Sequence, residues 1–131
     1  IINQRPPLFK EIDAAFSVAG KPIIFAWGTR IYNPTGTPIS EELRAHERVH
    51  GARQRGDVEG WWRRYIADAE FRLAEEIPAH QAEYLKFCER HKDRNLRARF
   101  LYDIAGRLSS PLYGGLIGFG AAMRVIRLGG C

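Results

Sequence analysis

The chain has 131 residues, 45% hydrophobic and 27% charged, with a formal net charge of +5. That is one domain's worth of globular sequence, long enough for a real core, and no apolar run approaches the roughly 18 residues a membrane-spanning helix needs. Two cysteines, Cys88 and Cys131, make no disulfide framework, and Cys88 reads as a core thiol.

Residues 1–7 end in Pro6-Pro7 and read as an extended lead-in. Leu8, Ile12, Ala15 and Phe16 then recur at helical spacing, a short amphipathic helix that Gly20 ends. Pro22 to Trp27 and Arg30 to Tyr32 are β-branched and aromatic runs joined by Gly28-Thr29, so a hairpin is expected over about 22–33, closed by Asn33, Pro34 and Gly36. Two roles suit it equally. It can offer an edge to which a peptide adds as an antiparallel strand, or it can cover the core.

Ser40 is a good N-cap, and Glu41 and Glu42 suit the positive end of a helix dipole, which predicts a helix over about 41–55. It carries His46-Glu47-Arg48-Val49-His50. Residues four apart share a helix face, so both imidazoles can close on one metal ion with Glu47 beside them. Zinc is the expected cofactor: it lowers the pKa of a bound water toward about 7, and an adjacent carboxylate can take that water's proton and return it to a leaving amine. Glu47 is the candidate general base. Arg48 departs from stricter forms of the motif, which keep charge out of that position. Gln54, one turn beyond His50, is a candidate for hydrogen-bonding beside the metal ligands, with plain solvent exposure the favoured reading.

Gly56 to Gly60 breaks the helix, and Trp61, Trp62, Tyr65 and Ile66 follow on a helical segment whose aromatics are expected to pack. The next long helix, about 68–91, has Leu73, Ile77, His80, Tyr84, Phe87 and His91 at steps of four and three. Glu76 lies beside this stripe and Glu70 on its backward extension; either carboxylate is costly to bury without a partner such as a metal. Pro78 predicts a kink or restart. Helices over about 94–128 complete the chain, with Leu96, Phe100, Leu101, Ile104 and Leu108 on one inward face, and Phe119, Met123 and Ile126 on another.

Two histidines need a third protein ligand. Asp57, Glu70, Glu75, Glu76, His80 and His91 are candidates, and spacing puts Glu70 and Glu76 first. HERVH, then Trp61-Trp62 with Arg64-Tyr65, then Glu76-Ile77-Pro78-Ala79, resembles the short gluzincin-type metallopeptidase-like proteins of phage and prophage genomes. The resemblance covers roughly residues 20–120 and rests on its HExxH and Glu-x-x-Ala pieces. It implies a minimal zincin-like domain with His46, His50 and Glu76 as zinc ligands and Glu47 as base. His80 stands where such proteins often carry an aromatic residue, and it joins Gln54 as a candidate for hydrogen-bonding to a metal ligand. Tyr32, Tyr65 and Tyr113 are candidates for stabilising an oxyanion.

The expectation is therefore a mainly α fold with a small β-hairpin (α+β), a single domain over 1–131, and a zinc-dependent hydrolase acting on a peptide or protein. The rivals are a phage or prophage assembly protein with a zinc site and little catalysis, and a polyanion-binding module. The second draws on residues 81–131, where nine basic residues face four acidic ones, although no aromatic-interleaved nucleic-acid motif accompanies them. No membrane partner is expected. The sequence shows no signal core, and a cytoplasmic or virion-associated setting is the expectation.

Overall fold

Four helix starts are set by short polar side chains that satisfy otherwise unpaired backbone N–H groups. In the computed structural model, which describes residues 1–131, Ser40 accepts from Leu43 N at 3.1 Å and opens α2, Glu41–Gln54. Asp57 caps α3, Val58–Ala67, Asp68 caps α4, Ala69–Arg90, and Asp93 caps α5, Arg94–Leu108. Each such cap contributes about 1 kcal/mol. The first helix, α1, is Phe9–Phe16, and the last, α6, is Phe119–Arg127, preceded by a 3-10 turn at Pro111–Tyr113. The chain is thus mainly helical with one small hairpin, as its patterning predicts.

The hairpin is β1, Phe25–Trp27, paired antiparallel with β2, Arg30–Tyr32, in the register Phe25↔Tyr32, Ala26↔Ile31 and Trp27↔Arg30. Gly28 takes φ 62 in its two-residue turn, a conformation glycine adopts without steric cost. Ile2 bridges to Tyr32, so the lead-in covers the outer edge of β2.

The longest helix, α4, is the central element. It packs against α2 on one side and against α5 and α6 on another. Its two faces differ in chemistry: Glu76, Ala79, His80 and Glu83 are buried along one line, while Tyr84 and Cys88 join Leu101, Ile104, Leu108 and Ile126 in an apolar cluster. A second apolar cluster, with Ile12, Phe25, Trp61, Trp62 and Tyr65, gathers α1, the hairpin and α3.

Several expectations need correction. α4 runs unbroken through Pro78. One ladder bond is lost there, yet the helix continues, so of the expected kink or restart it is the restart that does not occur. α1 ends at Ser17, which takes φ 53, three residues before Gly20. Leu96 is 40% exposed and does not share the inward face of α5. Cys88 is not a free core thiol: it is disulfide-bonded to Cys131, with Cα atoms 6.0 Å apart, within the usual span of the bond. The reason is tertiary. α6 turns back onto α4, where the Gln81 amide donates to Val125 O at 2.8 Å, and Gly129 lies so close to Gln81 that a Cβ would stand 2.5 Å from it.

Candidate metal centre

Helix periodicity places His46, Glu47 and His50 on the buried side of α2, and Arg48 in solvent. The charge that departs from stricter motifs therefore leaves the interior undisturbed. Opposite them, Glu76 projects from α4 between the two imidazoles. Its Oε1 lies 3.1 Å from His46 Nε2 and its Oε2 3.0 Å from His50 Nε2, and the two Nε2 atoms are 3.1 Å apart. All three residues are at most 7% exposed.

These donors could hold a metal ion. Ligand atoms around a tetrahedral zinc, at about 2.0–2.1 Å from it, stand about 3.3 Å from one another, close to the spacing found. Glu76 Oε1 has no hydrogen-bond partner although it is buried, the condition a cation relieves. The residues present fit the group.

Surrounding side chains fix the donors. The Tyr65 hydroxyl donates to Glu76 Oε2 at 2.7 Å. Glu83 Oε1 lies 2.8 Å from His46 Nδ1 and 3.0 Å from His80 Nδ1, so one carboxylate orients two imidazoles. At the far end of the packing, Arg90 pairs with the buried Glu42 at 2.5 Å, tying the start of α2 to the end of α4. His50 Nδ1 finds no partner.

Electrostatics follow from this crowding. Burial opposes a charged His46, but the carboxylates of Glu76, Glu83 and Glu47 outweigh it and hold the imidazole well above its ordinary value. Glu76 is the reciprocal case: burial pushes its carboxyl up, and His50 and His46 overcome that and hold it well below the ordinary range. Glu83 is likewise pushed up by burial, yet the hydrogen bonds from His46 and His80 bring it down to about 2. Burial raises Glu47, only partly countered by His46 and His50. Glu47 takes no part in the hydrogen bonds that tie its neighbours, and its carboxylate borders the cavity described next.

That cavity, of about 320 Å³, opens onto the histidines and takes lining from both apolar clusters. Ile12, Phe16, Ile23 and Ile24 form an apolar wall; Tyr113 and Arg107 stand on another side. Of the three tyrosines considered for an oxyanion, Tyr32 packs in the hairpin cluster and Tyr65 is engaged by Glu76, which leaves Tyr113 facing the cavity. Burial raises the Tyr113 phenol, so it stays a donor.

The remaining candidates are dispersed. Glu70 is exposed, Asp57 is spent on its cap, and His91 stacks on Phe87 at the end of α4. Glu75 is buried but points to the other side, where Arg53 and the Trp61 indole donate to it; these bonds hold its carboxyl low against the opposing effect of burial. Gln54 is 3% exposed, which corrects the favoured expectation of solvent exposure. It does not touch the donors either: its Oε1 accepts from Gly28 N at 2.6 Å and its Nε2 donates to Ala26 O at 3.0 Å. Trp62 Nε1 donates to the same Ala26 carbonyl, so the β1 edge is occupied by side chains at Ala26 and Gly28 and cannot take an added strand there.

Glu83 escaped sequence reasoning because an exposed glutamate is the common case. A signal did exist: Glu76, His80 and Glu83 fall at steps of four and three, a polar line on one face of a helix.

No family model, curated protein or solved structure matches this chain. No helix is long and apolar enough to cross a membrane.

Proposed function

We propose that this protein is a zinc-dependent hydrolase cleaving a peptide or amide bond, with His46, His50 and Glu76 as the zinc ligands and Glu47 as the general base. The observation that carries the reading is the convergence of the two imidazole Nε2 atoms on one buried carboxylate, within 3.0–3.1 Å, beside an unpaired glutamate at a cavity. Zinc, when bound, supplies a Lewis acid that makes water acidic near neutral pH.

The chain's own residues divide the remaining work. Glu47 takes and returns the proton, and burial raises its affinity for that proton. Tyr65 and Glu83 hold the ligands in orientation. Tyr113 is the donor facing the cavity where a substrate carbonyl becomes an oxyanion. The apolar wall suits a large apolar side chain next to the scissile bond. The Cys88–Cys131 bond favours a setting outside the reducing cytosol.

The test is metal content by mass spectrometry on wild type, His46→Ala and Glu76→Ala, followed by peptide hydrolysis in Glu47→Gln. About one zinc per chain, lost in both ligand variants, is expected, with Glu47→Gln keeping zinc and losing hydrolysis. A wild type purified without chelator that carries no zinc, or full activity in Glu47→Gln, overturns the proposal. One observation favours a second reading: each donor and Glu47 itself are at most 8% exposed, as in a structural metal site. An assembly protein of that kind loses thermal stability on chelation and cuts no peptide.

A further inference from the structure

His80 is 2% exposed, and its two ring nitrogens have different surroundings. Nδ1 is hydrogen-bonded to Glu83 Oε1 at 3.0 Å, whereas Nε2 is buried without a partner. An ionised carboxylate only accepts hydrogen bonds. Both His46 and His80 therefore direct an Nδ1–H at Glu83, which leaves Nε2 as the nitrogen each ring can offer a metal. Glu76 Oε1, also unpartnered, lies 3.1 Å from His46 Nε2 and 3.8 Å from His80 Nε2. His80 Nε2 and Glu76 Oε1 are thus buried near one another without a hydrogen-bond partner, a condition that a cation between them relieves.

We propose that His80 supplies a third imidazole to the metal through Nε2, so that the centre is built from His46, His50, His80 and Glu76. The inference rests on the metal reading above and extends its ligand set. The 3.8 Å separation from Glu76 Oε1 exceeds the roughly 3.3 Å between two ligand atoms of one tetrahedral zinc. The ligand atoms of His46, His50 and Glu76 already lie within 4.8 Å of one another and His80 is not yet among them, so binding requires its ring to move inward. Four protein ligands leave zinc a water only by five-coordination, and three imidazoles with a carboxylate also suit first-row metals of higher coordination number.

A rival grouping joins His46, His80 and Glu83. Both imidazole Nδ1 atoms are already hydrogen-bonded to Glu83 Oε1, and the Arg107 guanidinium stands 3.9 Å from Glu83 Oε2, where it repels a second cation. The unsatisfied atoms lie on the Glu76 side.

X-ray absorption at the zinc edge tests this on wild type, His80→Phe and His80→Gln. Phe keeps the ring volume and Gln keeps a donor for Glu83, so the pair separates loss of the metal bond from loss of packing or of the Glu83 contact, and circular dichroism checks that each is folded. Three imidazoles are expected in wild type and two in the variants, with zinc affinity by chelator competition at least ~100-fold weaker, the upper range for loss of a mere orienting partner. Wild type with zinc and two imidazoles, or unchanged affinity in both variants, overturns this inference and leaves the three-ligand site standing. Wild type that binds no zinc overturns both.

Discussion

Gly51 follows His50 on α2, and its replacement by alanine separates two opposing effects. Alanine is the better helix former by about 1 kcal/mol, so propensity alone predicts a more stable protein. Tertiary geometry predicts the reverse. A Cβ at Gly51 would lie 2.2 Å from the carbonyl oxygen of Gly28, where ordinary contact begins near 3.4 Å. Both sides of that clash are backbone, one in α2 and one in the hairpin turn, so neither can swing aside. Moving the turn away opens the 2.6 Å bond from Gly28 N to Gln54 and the 3.0 Å bond from Gln54 to Ala26 O. Each such bond contributes about 1 kcal/mol, and a buried amide left unsatisfied costs about 1–3 kcal/mol more. Against the helical gain, the net loss is about 2–4 kcal/mol, or roughly 6–15 °C in Tm for a chain of this length. Urea unfolding followed by tryptophan fluorescence measures it, with the m-value unchanged. The loss should shrink in a Gln54→Ala background, because the same bonds are then already absent. A Gly51→Ala protein as stable as wild type refutes the reasoning.

Two further outcomes follow from the structure. Cys131→Ser releases a cross-link spanning 43 residues, for which chain entropy predicts a loss of up to about 4 kcal/mol; reduction of wild type should give the same urea midpoint, and an unchanged midpoint in both would show that the bond does not constrain the unfolded chain. In the metal-free protein, Glu83 has a folded pKa of about 2 against an ordinary 4.5, so its contribution is fully present above about pH 4.5 and is lost as pH falls through 2. The size is on the order of 3 kcal/mol. Urea midpoints between pH 5 and 2 should fall more steeply in wild type than in Glu83→Gln; parallel curves would remove Glu83 from the cause.

How far the sequence could be read depended on the range of the interaction. Ser40 announces the start of α2 because a cap satisfies N–H groups two or three residues away, inside the same stretch of chain. The pairing of His46 with His50 is equally local, since a four-residue step returns to one face. The hairpin follows from Gly28-Thr29 between two β-prone runs.

Partners distant in sequence were another matter. Spacing alone left Glu70 and Glu76 level, and only the packing of α4 across α2 put Glu76 between the imidazoles while leaving Glu70 in solvent. The same crossing turned Glu83 from an ordinary glutamate into the shared acceptor of two histidines. Gln54 looked exposed because nothing near it in sequence needs an amide, whereas the hairpin 26 to 28 residues earlier does. Cys88 and Cys131 meet only because α6 folds back along α4. The sequence by itself determined the helices, the hairpin and the histidine pair, whose causes lie within a few residues. Which carboxylates face that pair, what clamps the hairpin and which thiols join were decided by tertiary structure, because those contacts depend on how whole helices cross.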